Sequence, residues 1–166
     1  MKPPILQLEQ FLLTRLQIDY TFPDSSPAIS VDSVDCSFDY DVASHAQEPR
    51  RRMMRLRVAF QEVDEKKQNI GYTIQCDMTG FFTFTESTPK DKEEFIIRVN
   101  GFNMLYGALR GVLATTTAVF LGGRFSIPNV MPNEIVEDVE RRREQASQQT
   151  TATQNAPANP TGGGQS

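Results

Sequence analysis

One histidine and two cysteines in 166 residues leave little material for metal or nucleophilic chemistry. Cys36, Asp41 and His45 can be written as nucleophile, acid and base. However, Cys36 falls on the inward side of an alternating strand and His45 lies beyond its end, beside Ser44 and Gln47, so nucleophile and base need not meet. No Cys or His spacing fits a metal site. Cys36 and Cys76 both occupy apolar positions, where a thiol acts as a small hydrophobe, and are read as reduced. Glycine pairs and runs occur at Gly122 and Gly123 and at Gly162 to Gly164, never between a strand and a helix start, so no phosphate cradle is indicated. Charge of one sign is scarce too. With 17 basic against 21 acidic residues the net charge is -4, which argues against nucleic acid or an anionic membrane as partner. Met1 to Leu16 carries Glu9, Arg15 and two prolines and so lacks the apolar centre of a signal peptide, which makes a cytoplasmic protein the expectation. No enzyme and no cofactor is expected.

The one basic cluster is Arg50, Arg51, Arg52, Arg55 and Arg57. It reads either as an anion-binding patch or as the wet face of a strand paired with Asp35, Asp39 and Asp41, and cross-strand charge pairing is the commoner arrangement.

Apolar surface, by contrast, is abundant. From Glu93 to Leu121 the chain reads as one long helix with Phe95, Val99, Phe102, Tyr106, Leu109, Leu113, Thr116 and Phe120 in a stripe, and Arg110 is the only charge between Val99 and Gly123. A further row, Gly107, Gly111, Ala114 and Ala118, is small enough to admit another backbone. A membrane span is disfavoured because Arg110 would sit near its middle, beside Asn100, Asn103 and three threonines. One sheet covers one face of such a helix, so a second subunit is expected on the others.

Four strands are predicted before it. Leu12 to Phe22 places Leu12, Leu16, Ile18, Tyr20 and Phe22 on one face, and Pro23 to Pro27 begins a crossover loop. Val34 to Val42 alternates strictly, and Met54 to Phe60 follows after a turn. Ile70 to about Thr85 passes Gly80, where a bulge or a close approach is expected, into Phe81, Phe82 and Phe84. After the helix, Phe125, Ile127, Val130 and Met131 are too apolar for water and should fold back. Pro132 and Asn133 open a short, solvated second helix. The plan is α+β, a four-stranded antiparallel sheet with one long and one short C-terminal helix on one face. Residues 1–145 form the domain, and 146–166, polar and uncharged, read as a disordered tail.

Asn103 to Arg110, then Gly123, Arg124 and Phe125, then Pro132 and Asn133, together with Gly80, Phe81 and Phe82, resemble the SecB family of protein-export chaperones. Gly107 stands where that family usually has proline. The resemblance implies a homotetramer, a dimer of dimers, that holds unfolded clients without ATP. It implies a client groove from Phe22, Phe81, Phe82, Phe84, Phe125, Ile127, Met131 and Ile135. Asn103, Tyr106, Gly107, Arg110, Gly111, Ala114 and Ala118 would form the oligomer interface. In that family an acidic sheet face meets the motor SecA. Here Asp35, Asp39, Asp41 and Asp77 would supply it, next to Arg15, Arg55 and Arg57. SecB-like proteins also serve single toxin and antitoxin pairs, and a ligand-binding oligomer on this fold is the remaining alternative.

Overall fold

The computed structural model describes residues 4–22 and 33–154, with side chains of the last helix described as far as 148. The crossover loop expected from Pro23 and residues 155–166 of the expected tail lie outside the described residues. Four antiparallel strands, β1 (Leu6–Tyr20), β2 (Val34–Ser44), β3 (Arg51–Val63) and β4 (Asn69–Phe84), form one sheet in the order β1-β4-β3-β2. A 3₁₀ turn (Lys90–Lys92) leads into α1 (Glu93–Ile96), a π turn (Ile97–Gly101) and α2 (Phe102–Thr117), and α3 (Pro132–Gln154) ends the described chain.

β2, β3 and β4 follow the alternation in their sequences. Tyr40, Leu56 and Met78 are register partners on the helix side of the sheet, and all are buried. β1 obeys a different rule. It begins at Leu6, well before Leu12, and register shifts between Leu8 and Gln10 and between Leu13 and Arg15 each insert a residue. The residues opposite the inward side chains of β4 are therefore Leu6, Leu8, Phe11, Leu13, Leu16, Ile18 and Tyr20. Leu12, expected inward, pairs with Thr79 on the outer face. Gly80 itself is not bulged. A Cβ there would come within 2.6 Å of a Leu105 methyl, so the glycine is a close approach of β4 to α2.

The long helix is real but not uniform. Its first turns are rephased by the π turn, whose extra residue rotates what precedes it by about 100° relative to α2. Ile97 and Gly101 therefore face the sheet, and Phe95, expected in the buried stripe, is 66% exposed. Downstream, Phe102, Leu105, Tyr106, Leu109, Leu113 and Thr117 are buried against the sheet. The helix ends at Thr117, short of the expected Leu121. Phe120 N–H donates to the Thr117 carbonyl and Gly123 N–H to that of Phe120, and Gly123 takes a φ of +73° that suits glycine.

The segment after α2 folds back at Phe125, Ile127 and Val130 as expected, whereas Met131 stays 64% exposed. The Thr117 hydroxyl donates to the Leu113 carbonyl and accepts from Phe125 N–H at 2.8 Å. Tyr72 and Tyr106 hydroxyls donate to the carbonyls of Gly123 and Pro128. Phe125 and Ile127 are consequently buried. α3 runs along the β2 edge and continues past Ala146 to Gln154, where a disordered tail was expected from residue 146.

Candidate functional site

The basic cluster is consumed by the fold. Arg57 pairs with Asp39 and Asp41, Arg55 with Asp77 at 2.8 Å, and Arg51 with Glu48 at 2.9 Å. Arg50 and Arg52 both reach the buried Glu93 carboxylate at 2.8 Å, tying the start of β3 to the first turn of α1. The four carboxylates expected on an acidic outer face are all engaged. Besides Arg57, Asp39 and Asp41 receive Arg143 from α3, and Asp35 receives Lys67 at 2.6 Å. Partial burial works against the Asp39 carboxylate, but hydrogen bonds and charge from Arg57 and Arg143 outweigh it and hold its pKa below the ordinary carboxylate value.

Nucleophilic chemistry finds no geometry among the described residues. The Cys36 thiol donates to the Val34 carbonyl, and burial with the neighbouring Asp35 charge pushes its pKa up to about 11, which suppresses the thiolate. Cys36 is more exposed than its inward position suggested, because β2 is an edge strand. Cys76 is buried, and both cysteines are free. His45 Nδ1 accepts from the Gln47 and Glu48 amides and so organises a turn. Glu62 accepts from Tyr72 N–H at 2.8 Å; burial raises its pKa and that hydrogen bond opposes the rise. No cluster of His, Cys, Asp and Glu among the described residues could hold a metal, and no described helix is long and apolar enough to cross a membrane.

The eight residues expected to line a groove do not fall in one place. Phe82 and Phe84 are core residues at the far end of β4, fully buried beside Leu6. Phe81 points to the other face of the sheet, where it lines a 540 Å³ depression with Met53, Ala43 and Gln10. Of the remaining five, Phe22 follows β1, Phe125, Ile127 and Met131 lie in the segment after α2, and Ile135 is on α3. Phe125 and Ile127 are buried, Ile135 is half-buried, and Met131 and Phe22 are 64% and 65% exposed. Ring contacts connect Phe22 to this region: Phe22 meets Tyr20 at 5.1 Å, Tyr20 meets Tyr72 at 4.8 Å, and Tyr72 meets Phe125 at 5.7 Å.

Sequence periodicity missed the most exposed apolar group here. Val119, Phe120 and Leu121 were assigned to a packed helix, yet the helix has already ended, leaving Val119 and Leu121 almost fully exposed. Phe120 contacts Tyr72, and Gly122 lies against the Tyr20 ring, so this turn shares its neighbours with Phe22. The only available signal was the glycine pair, which ends a helix several residues after its last hydrogen bond.

Of the residues expected at an interface, Asn103, Gly107, Arg110, Gly111 and Ala118 are exposed and Ala114 is half-buried. A Cβ on Gly107 or Gly111 would meet nothing within 4 Å, so this row of α2 is bare. Tyr106 is buried within its own chain, stacked on Phe102 and close to Phe38. Burial raises its pKa.

A four-stranded sheet carrying a long helix and a post-helix strap, with exposed apolar side chains after α2, defines an α+β fold of one sheet with helices on one face. The particular arrangement is a divergent SecB-like fold. The SecB-like chaperone Rv1957 of Mycobacterium tuberculosis, solved in complex with a ChAD peptide from the antitoxin HigA1, superposes with a TM-score of 0.57 at 13% identity, over 75% of this chain and 90% of that one. A protein of unknown function from Streptococcus agalactiae matches more loosely, with a TM-score of 0.42 at 9% identity over 75% of this chain and 97% of its own. No family model matches the chain. No curated protein matches it.

Proposed function

We propose that this chain is an ATP-independent chaperone that holds extended apolar segments of unfolded polypeptides, working as a cytoplasmic homotetramer. The observation that carries this reading is the exposed cluster of Val119, Phe120, Leu121 and Phe22 over an ordered aromatic floor. Each such side chain contributes about 1.5 to 3 kcal/mol when removed from water, so a few contacts hold a client that must later leave. Phe125 packs on Tyr72 beneath this surface, and Ile127, Met131 and Ile135 are proposed to extend it along the strap and α3. The bare row Gly107, Gly111, Ala114 and Ala118, flanked by Asn103 and Arg110, is the proposed meeting surface of two copies.

Among destinations, one dedicated client is favoured over delivery to SecA, because Asp35, Asp39, Asp41 and Asp77 are already neutralised by cations of the same chain. Light scattering of a reduced, chemically unfolded client diluted into nucleotide-free buffer tests the proposal. Suppression at about one oligomer per client is expected. Undiminished scattering with several unrelated clients, from a protein shown to be folded, would rule out a general holdase; undiminished scattering with a cognate client as well would rule out the chaperone reading.

A further inference from the structure

β2 has a neighbouring strand on one side only, so every second residue turns its N–H and C=O toward the open edge. Phe38 and Tyr40 are two of these, and neither carbonyl is bare. Arg142 donates to the Phe38 carbonyl at 2.8 Å, and Arg143 donates to that of Tyr40. Both arginines come from α3, which lies along this edge. Nearer the start of the strand, the Cys36 thiol lies 3.7 Å from the Val34 carbonyl. Side chains thus occupy groups that would otherwise pair with another strand.

This cover is lightly held. Val136 and Val139 anchor the first half of α3, whereas from Glu140 to Gln148 no side chain is buried. Charge alone guards the edge weakly, because Arg57 bridges Asp39 and Asp41, and Lys67 reaches Asp35. From this arrangement we infer that Arg142 and Arg143 close the β2 edge against β2 of a second copy. Lifting the second half of α3 opens a strand-pairing surface separate from the bare row of α2. The strand is its own match. In an antiparallel register centred on Phe38, position 36 meets position 40 and position 38 meets itself. Apolar side chains then share one face, and the open backbone groups of the two strands point at each other.

Analytical ultracentrifugation of the full-length protein over a concentration series tests the inference, with Arg142→Gln plus Arg143→Gln set against the wild type. The double variant should form a species of twice the wild-type mass, at a concentration about tenfold below any at which the wild type does. Adding Cys36→Pro removes an edge-facing N–H without touching the ladder to β3, and should abolish the doubling. In the doubled species the Phe38 and Tyr40 amides should exchange more slowly than in the wild type, a readout that stands in for the proline variant if that one fails to fold. Arg143→Gln alone keeps the Arg142 contact and should double at an intermediate concentration. It decides the matter if circular dichroism shows the double variant unfolded. Unchanged mass in a folded variant would overturn the inference. Doubling that survives Cys36→Pro, or that leaves the Phe38 and Tyr40 amides unprotected, would place the contact elsewhere and overturn it as well. None of these results bears on client holding, so the chaperone reading stands or falls separately.

Discussion

The two long helices are attached to the same sheet by different physics. α2 buries Phe102, Leu105, Tyr106, Leu109 and Leu113 against the sheet, and its outer side carries one charge, Arg110, beside the small residues Gly107, Gly111 and Ala118. Among its described side chains, α3 buries Val136 and Val139 and is otherwise held at the β2 edge by polar contacts. Tyr40 donates to Glu140 at 2.6 Å, and Arg142 donates to the Phe38 carbonyl at 2.8 Å. Arg143 donates to the Tyr40 carbonyl and to Asp39, with its guanidinium 5.1 Å from the Tyr40 ring centroid. Apolar burial is indifferent to salt and to moderate pH, whereas ion pairs at a surface depend on both. α2 is thus the fixed floor, and α3 is the helix whose attachment can be tuned.

The largest expected effect lies on α2. Leu109→Ala should cost about 2 to 5 kcal/mol by chemical denaturation, the range for emptying a closed core site. A cost near that of a surface change would mean α2 is not the floor. Second comes the bare side of the same helix. Gly111→Ala should stabilise an isolated chain by roughly 0.5 to 1 kcal/mol, because the added Cβ meets no neighbour and the helix loses a flexible residue. Gly111→Leu should lower the native mass by forcing the proposed helix contact apart. If native mass spectrometry found the assembly unchanged, that row would not be the meeting surface.

The smallest effect belongs to α3. Arg143→Ala should cost no more than about 1 kcal/mol, and less in high salt. Because the Asp39 pKa is depressed in the fold, its contribution is fully present above the unfolded carboxylate pKa, about 3.9. It is lost as pH falls through the lower folded value. Amide protection in α3, measured against the intrinsic exchange rate at each pH, should therefore fall below about pH 4 before that of α2 does. Simultaneous release of the two helices would erase the distinction between them.

The sequence made the α+β plan legible because β2, β3 and β4 keep a strict period of two and the apolar stretch is long. β1 was half hidden, since two inserted residues give its inward set, Leu6, Leu8, Phe11, Leu13, Leu16, Ile18 and Tyr20, neither a strand nor a helix spacing. The buried stripe of the long helix was misphased at Phe95 by the π turn, which leaves no compositional mark. Charge pairing on β2 and β3 was readable from their registers. The neutralising role of Arg143 was not, since it arrives from a helix about a hundred residues further along the chain. Of the residues expected to line a groove, Phe125, Ile127 and Met131 lie together in the segment after α2, as their sequence order implied. Those in β4 were illegible, because consecutive Phe81 and Phe82 point to opposite faces of a strand.

Hydrogen exchange of the full-length protein, alone and saturated with a permanently unfolded client, tests the central claim most directly. The account predicts slowed exchange from Val119 through Met131 and in the first turn of α3, with little change in β2 and β3. Slowing confined to the outer-face depression around Met53 and Phe81, with none after α2, would contradict it.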